Sequence, residues 1–104
     1  MIHVVAVITA QPGQRAALLA LFNANVPAVL AEDGCIEYVA TIDAHGMPTS
    51  KGNVGPDTFV VVEKWASLDA LRAHAVAPHM QAYAANAKEL LAGRVIHVLE
   101  PVAA

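Results

Sequence analysis

Between Asp57 and Tyr83 the chain places Glu63 and Trp65 at the end of a β-branched run, then His74 and His79 on either side of Pro78. A carboxylate can take or hold a proton, and an imidazole titrates near neutrality. An indole can stack on a flat ring and donate one N–H. The surrounding residues are mostly Ala, Val and Leu. Polar groups cost free energy when buried among such neighbours, so their concentration here points to a pocket.

Each of these residues has a plain structural reading beside the chemical one. His74 suits proton transfer from the first half of a split helix, or a capping and packing role at the helix break, and the residues alone favour the structural role. His79 follows a proline at a helix start, where its ring can bond free backbone groups, and it stands second to His74 as a site residue. Glu63 shares a strand face with Phe59, Val61 and Trp65, so it needs a partner or a raised pKa. It is either a tie to a neighbouring element or a base.

Two histidines on the outer runs, His3 and His97, lack a third ligand at useful spacing, so no metal site is expected. Cys35 follows Gly34 into a strand with no basic neighbour and reads as a small buried hydrophobe. No glycine-rich loop matches a dinucleotide or phosphate cradle, so no cofactor is expected.

The elements that must hold these residues follow from pattern. Ile2 to Ala10 is β-rich and ends at Gln11-Pro12-Gly13. Leu18, Leu19, Phe22, Val26, Val29 and Leu30 recur at helical spacing from Gln14 to about Ala31, with a kink or loosened turn expected at Pro27. Cys35 to Asp43 reads as a second strand. Ala44 to Pro56, with three glycines and two prolines, reads as a loop long for a hairpin. Thr58 to Trp65 is a third strand. Ser67 can cap a helix over Leu68 to Ala75, and Pro78 can open another reaching about Ala92, closed by Gly93. Arg94 to Leu99 is the last strand.

The order β-α-β, β-α-β, with the second helix split, predicts a single domain over residues 1–104: a ferredoxin-like α+β sandwich with an antiparallel sheet. The third strand alternates Phe59, Val61, Glu63 and Trp65 against Thr58, Val60, Val62 and Lys64, and neither set is polar throughout. A sheet apolar on both faces with helices on one predicts a homodimer. At 57% apolar and 14% charged residues the chain is too apolar for disorder. A net charge of −3 with six scattered Lys and Arg excludes a nucleic-acid groove. The apolar start is too short for a membrane span and lacks a basic leader, so the expected location is cytoplasmic.

The stretch EDGCIEYVATID at Glu32 to Asp43, followed by DTFVVVEKWASLDALRAHAVAPHMQAY, resembles the antibiotic biosynthesis monooxygenase family. An acidic-Gly-Cys turn, a strand tyrosine, Glu-x-Trp, a Ser-x-x-Ala-Leu helix start and His-x-x-x-Pro-His carry the resemblance, which spans nearly the whole chain. It implies a dimeric α+β barrel. It further implies a cofactor-independent monooxygenase using O2 on a small electron-rich aromatic such as a quinol. Other members of similar fold isomerise small hydroxycarbonyl compounds, some phosphorylated, or degrade haem, so an isomerase and a non-catalytic dimeric binding module remain as alternatives. The loop at 44–56 is an insertion relative to shorter members, either a lid or a decoration of the dimer edge. On this reading His74 and Glu63 are the catalytic residues, with Trp65, Tyr38, His79 and Asn23 contacting substrate.

Overall fold

A computed structural model describes residues 1–47 and 52–103 of the chain; Pro48 and Lys51 of the long loop lie outside them. The elements are β1 (Ile2–Ala10), α1 (Arg15–Leu30), β2 (Cys35–Thr41), β3 (Thr58–Trp65), α2 (Leu68–Ala75), α3 (Pro78–Ala87) and β4 (Leu91–Leu99). They form one antiparallel sheet in the order β2-β3-β1-β4. This is the ferredoxin-like α+β arrangement anticipated from the pattern, with the two βα halves interleaved and β1 and β3 central. Among the described residues no helix is long and apolar enough to cross a membrane.

Side-chain alternation sets the core. Every second residue of β1, from Ile2 to Ala10, is buried. Register then aligns Ile2, Val4, Ala6 and Ile8 with Trp65, Glu63, Val61 and Phe59 on one face. Helix α1 covers that face with Leu18, Phe22 and Val29. Phe22 stacks on Tyr38 at 5.1 Å between centroids and meets Phe59 edge-on at 5.7 Å. The Asn25 side-chain amide donates to Met80 Sδ at 3.3 Å, linking α1 to α3.

Helix α1 runs through Pro27 to Leu30, close to the expected end near Ala31. A proline there costs the Asn23 carbonyl its donor, and Asn23 is exposed, where water can supply one. Helix α3 stops at Ala87 rather than near Ala92, and Gly93 lies inside β4 rather than closing a helix. Strand pairing outcompetes helix extension here. Gln11 N–H donates to the Leu90 carbonyl at 2.8 Å, and Leu91 pairs with Ala10 across a register shift.

The helices leave two apolar areas uncovered. On the helix side of β4, Ile96 and Val98 remain about half exposed. On the opposite sheet face Val39, Val95 and Leu99 are exposed, beside the half-buried Val5 and Val62. At the base of the long loop, Asp43 accepts from Val54 N–H at 2.8 Å and Gly55 N–H at 3.0 Å. These bonds hold its carboxyl below the usual range.

The turn between α1 and β2 is built on Gly34, at φ +82°, where a Cβ would lie 2.6 Å from the Ala70 Cβ. Its carbonyl accepts from Ala66 N–H at 2.8 Å, so turn and α2 are pressed together. Gly34→Ala should therefore cost about 2–4 kcal/mol, combining a left-handed backbone with an overpacked contact. Urea unfolding should show a lower midpoint with unchanged slope; a wild-type midpoint would mean that α2 yields freely to the added methyl.

Candidate active site

Strand β3 ends at Trp65, and two residues later the Ser67 hydroxyl caps α2 by accepting from Ala70 N–H at 3.1 Å. Helix α2 carries His74 in its last turn; Ala77 in extended backbone then breaks it, and Pro78 opens α3 with His79 beside it. The break lets both rings turn back toward the α1–β2 turn. There Glu32 Oε2 accepts from His74 Nδ1–H at 2.8 Å and from His79 Nε2–H at 2.9 Å. A carboxylate oxygen only accepts, so each ring carries its proton on the nitrogen facing Glu32. With the proton on Nδ1, the neutral tautomer of His74 carries its lone pair on Nε2, where it can act as a base.

His74 is buried, its ring 4.6 Å from that of Trp65 and edge-on to Tyr38 at 5.5 Å. Trp65 in turn donates its indole N–H to Glu63 Oε1 at 2.9 Å. Glu63 is 6% exposed. Burial raises its pKa, opposed by the Trp65 hydrogen bond and the nearby His74, with the Glu32 charge adding to the rise. Burial, then the Glu63 charge, also pushes the Tyr38 hydroxyl above the usual phenol range, which keeps it a donor. Burial and the Glu32 and Glu63 charges raise the Cys35 thiol, so it is no thiolate nucleophile.

Glu63 and His74 open onto a cavity of about 570 Å³ between α2, α3 and the β1–β4 side of the sheet. Its walls are mainly apolar, including Val4, Leu71, Met80, Ile96 and Val98, with Arg72, Gln81 and Arg94 as further polar groups. That volume suits a small organic ligand. A smaller hollow of about 230 Å³ between α1 and α3 is lined by His79, Asn25 and Tyr83.

Glu63, Trp65, Tyr38, His74 and His79 are thus brought into one hydrogen-bonded and stacked array, but only Glu63 and His74 line the large cavity. Trp65, expected as a pocket wall, is fully buried and does not line the large cavity: on the same strand face as Glu63, its indole packs against His74 and donates to Glu63. Tyr38 packs between Phe22 and His74. His79 faces the smaller hollow, and Asn23 lies on the exposed side of α1. None of the described residues of the 44–56 loop lines the large cavity.

Sequence reasoning passed over Glu32 as a site residue, and weighed Arg94 only as one of six basic residues that a phosphorylated ligand could use. Glu32 had one signal: a carboxylate just past a helix C-terminus opposes the helix dipole, so its presence there implies a partner. Glu32, His74 and His79 also offer three donor atoms within 4.8 Å of one another, the types a divalent metal takes. The 2.8 and 2.9 Å spacings are those of hydrogen bonds, shorter than the roughly 3.3 Å between ligands of a tetrahedral ion.

A ferredoxin-like domain with a carboxylate and a tethered imidazole on the wall of an apolar cavity defines a small-molecule-binding class. Comparison with known proteins narrows it. The family model described as antibiotic biosynthesis monooxygenase matches residues 1–86, and the chain belongs to that family. It is 38% identical over 103 residues to the protein named "Probable quinol monooxygenase YgiN" of Escherichia coli K12, covering 97% of this chain and 98% of that one. Among solved structures it resembles PA3566 from Pseudomonas aeruginosa, with TM-score 0.80 and 28% identity, covering 98% of this chain and 94% of that one. It also resembles Rv0793 from Mycobacterium tuberculosis, with TM-score 0.78 and 32% identity, covering 97% and 94%.

The raised Glu63 pKa carries a signed consequence for stability. Below the ordinary glutamate value of 4.5 both folded and unfolded chains hold the proton. As pH rises the unfolded chain releases it first, so ionisation of Glu63 draws the equilibrium toward unfolding. Glu63→Gln keeps an acceptor for the Trp65 N–H and removes that cost. Denaturation at a series of pH values should show the variant gaining on wild type from about pH 4.5 toward neutrality. A gap independent of pH would contradict the burial argument.

Proposed function

We propose that this protein is a monooxygenase of the cofactor-independent type, oxidising a small electron-rich aromatic such as a quinol. The observation that carries the reading is the tethered His74: Glu32 holds Nδ1–H and leaves Nε2 as a base on the wall of an apolar cavity. In this scheme His74 Nε2 takes the phenolic proton, and the buried anion gives electrons to O2. The proton then returns to the peroxide formed on the ring, and the O–O bond breaks. One oxygen atom stays on the ring and the other leaves as water, so quinol plus O2 becomes hydroxyquinone plus water. Glu63 accepts a hydrogen bond from substrate or, protonated, donates one. Positioning and exclusion of water supply the rate enhancement. The family membership and the likeness to a protein named as a quinol monooxygenase support this reading.

The isomerase reading retains one observation of its own: two arginines, Arg72 and Arg94, border the cavity as a phosphorylated substrate requires. They form an uneven pair: both are exposed, but the Arg72 guanidinium is held by Asp69 at 2.9 Å. The non-catalytic dimeric binding module has less support, since such a module would have a cavity absent or filled by side chains and this one is open.

Oxygen uptake with anaerobically prepared hydroquinones and anthrones tests the reaction. Wild type should exceed autoxidation, and 18O2 should deliver one labelled atom to product. His74→Ala should lower kcat by about 10²–10⁴. Glu32→Gln should lower kcat on the order of a hundredfold through misorientation of the ring, with KM little changed. Uptake no faster than in protein-free buffer across the whole panel would reject the monooxygenase.

The exposed valines of the open sheet face support a homodimer joined through that face, leaving the helix-side cavities free. Sedimentation should give twice the chain mass, and Val95→Lys should shift it toward monomer. A wild-type monomer at micromolar concentration would remove this part of the proposal.

A further inference from the structure

We infer that the cavity selects aromatic ligands bearing an anionic substituent remote from the reacting hydroxyl, and that Arg94 is the specificity-determining residue that binds it. The inference rests on the aromatic reading of the cavity and adds to it a charge, an orientation and a residue.

Strand β4 presents Arg94, Ile96 and Val98 to the helix side, where β1 contributes Ile8, Ala6 and Val4 in register. Glu63 also pairs with Val4, whereas Arg94 pairs with Ile8. The two charged residues are therefore four positions apart along β1, roughly 13 Å, and two strand spacings apart across the sheet, roughly 10 Å. Side chains reaching inward from the two positions would leave room for a ligand of about one or two fused rings. Between them lie apolar walls, among them Leu71, Met80 and Ile96.

Arg94 has no role in holding the fold that the structure reveals. Among the described residues it makes no ion pair, while the other cavity arginine is engaged by Asp69. A guanidinium interrupting an apolar strand face, without a carboxylate partner, is poised for an anion from outside the chain. The inner end has opposite electrostatics: Glu63 repels an anion and, with His74, receives a hydroxyl. A ligand with a hydroxyl at one end and a carboxylate at the other thus fits in one orientation only. That orientation delivers the hydroxyl proton to His74.

Calorimetric titration with a matched pair of probes separates the possibilities: 2-naphthol, and 6-hydroxy-2-naphthoate, which adds a carboxylate at the far end. Wild type should bind the naphthoate about tenfold more tightly, the size expected for a charge-assisted contact partly open to solvent. Raised salt should shrink the difference. Arg94→Gln should bring the two affinities within about twofold while leaving 2-naphthol binding unchanged, and Arg94→Lys should restore part of the preference. Arg94→Glu should reverse it toward a probe with an aminomethyl group in place of the carboxylate. Equal wild-type affinities, or a preference that survives Arg94→Gln, would overturn the inference and leave the aromatic cavity standing. Failure of both probes to saturate wild type would overturn the aromatic reading as well.

Discussion

One oxygen atom organises this molecule. Glu32 Oε2 takes an N–H from each of two imidazoles, and those imidazoles sit on separate helices. The bond pair therefore fastens the α1–β2 turn to both sides of the α2–α3 break. It does so with little solvent access at His74, where an unsatisfied polar group would cost about 1–3 kcal/mol. Gly34 allows the approach, the break at Ala77 redirects the rings, and the Trp65–Glu63 pair closes the array from the sheet side.

The placement of polar groups divides labour within a domain whose interior is otherwise hydrocarbon. Two rings lie between two carboxylates: Glu32, His74, Trp65 and Glu63 form a sequence of contacts from the α1–β2 turn to the cavity wall. Glu63 is held by Trp65 and also borders the cavity, whereas Glu32 stands behind His74. A rigid support behind the two groups proposed to react is what orientation-based catalysis requires. A single buried tryptophan can serve that purpose without touching the ligand.

Much of the architecture was legible because it rests on local rules. Strands β1 and β3 and helix α2 begin and end where alternation and the Ser67 cap place them. The α3–β4 junction was misread because Gly93 is a good helix terminator locally, while the competing pairing partner, Ala10, lies some eighty residues earlier. The site divides in the same way. Glu63, Trp65, His74 and His79 stood out as polar or aromatic residues in an apolar segment. Glu32 belongs to them only through bonds spanning 42 and 47 residues, which no local pattern encodes. Trp65 could be placed on the right strand face, but strand periodicity does not distinguish a cavity wall from the packing behind it.

The clasp at Asp43 has an evolutionary side. One carboxylate closes the β2–β3 connection at its base, tying Asp43 to Val54 and Gly55. Lengthening such a loop costs free energy only logarithmically, and the strands on either side do not feel the change. Strand pairing between β2 and β3 is thus insulated from whatever sequence fills the interval. The connection behaves as a socket: new segments can be inserted and selected there while the Glu32 array, at the far end of the same strands, keeps its geometry.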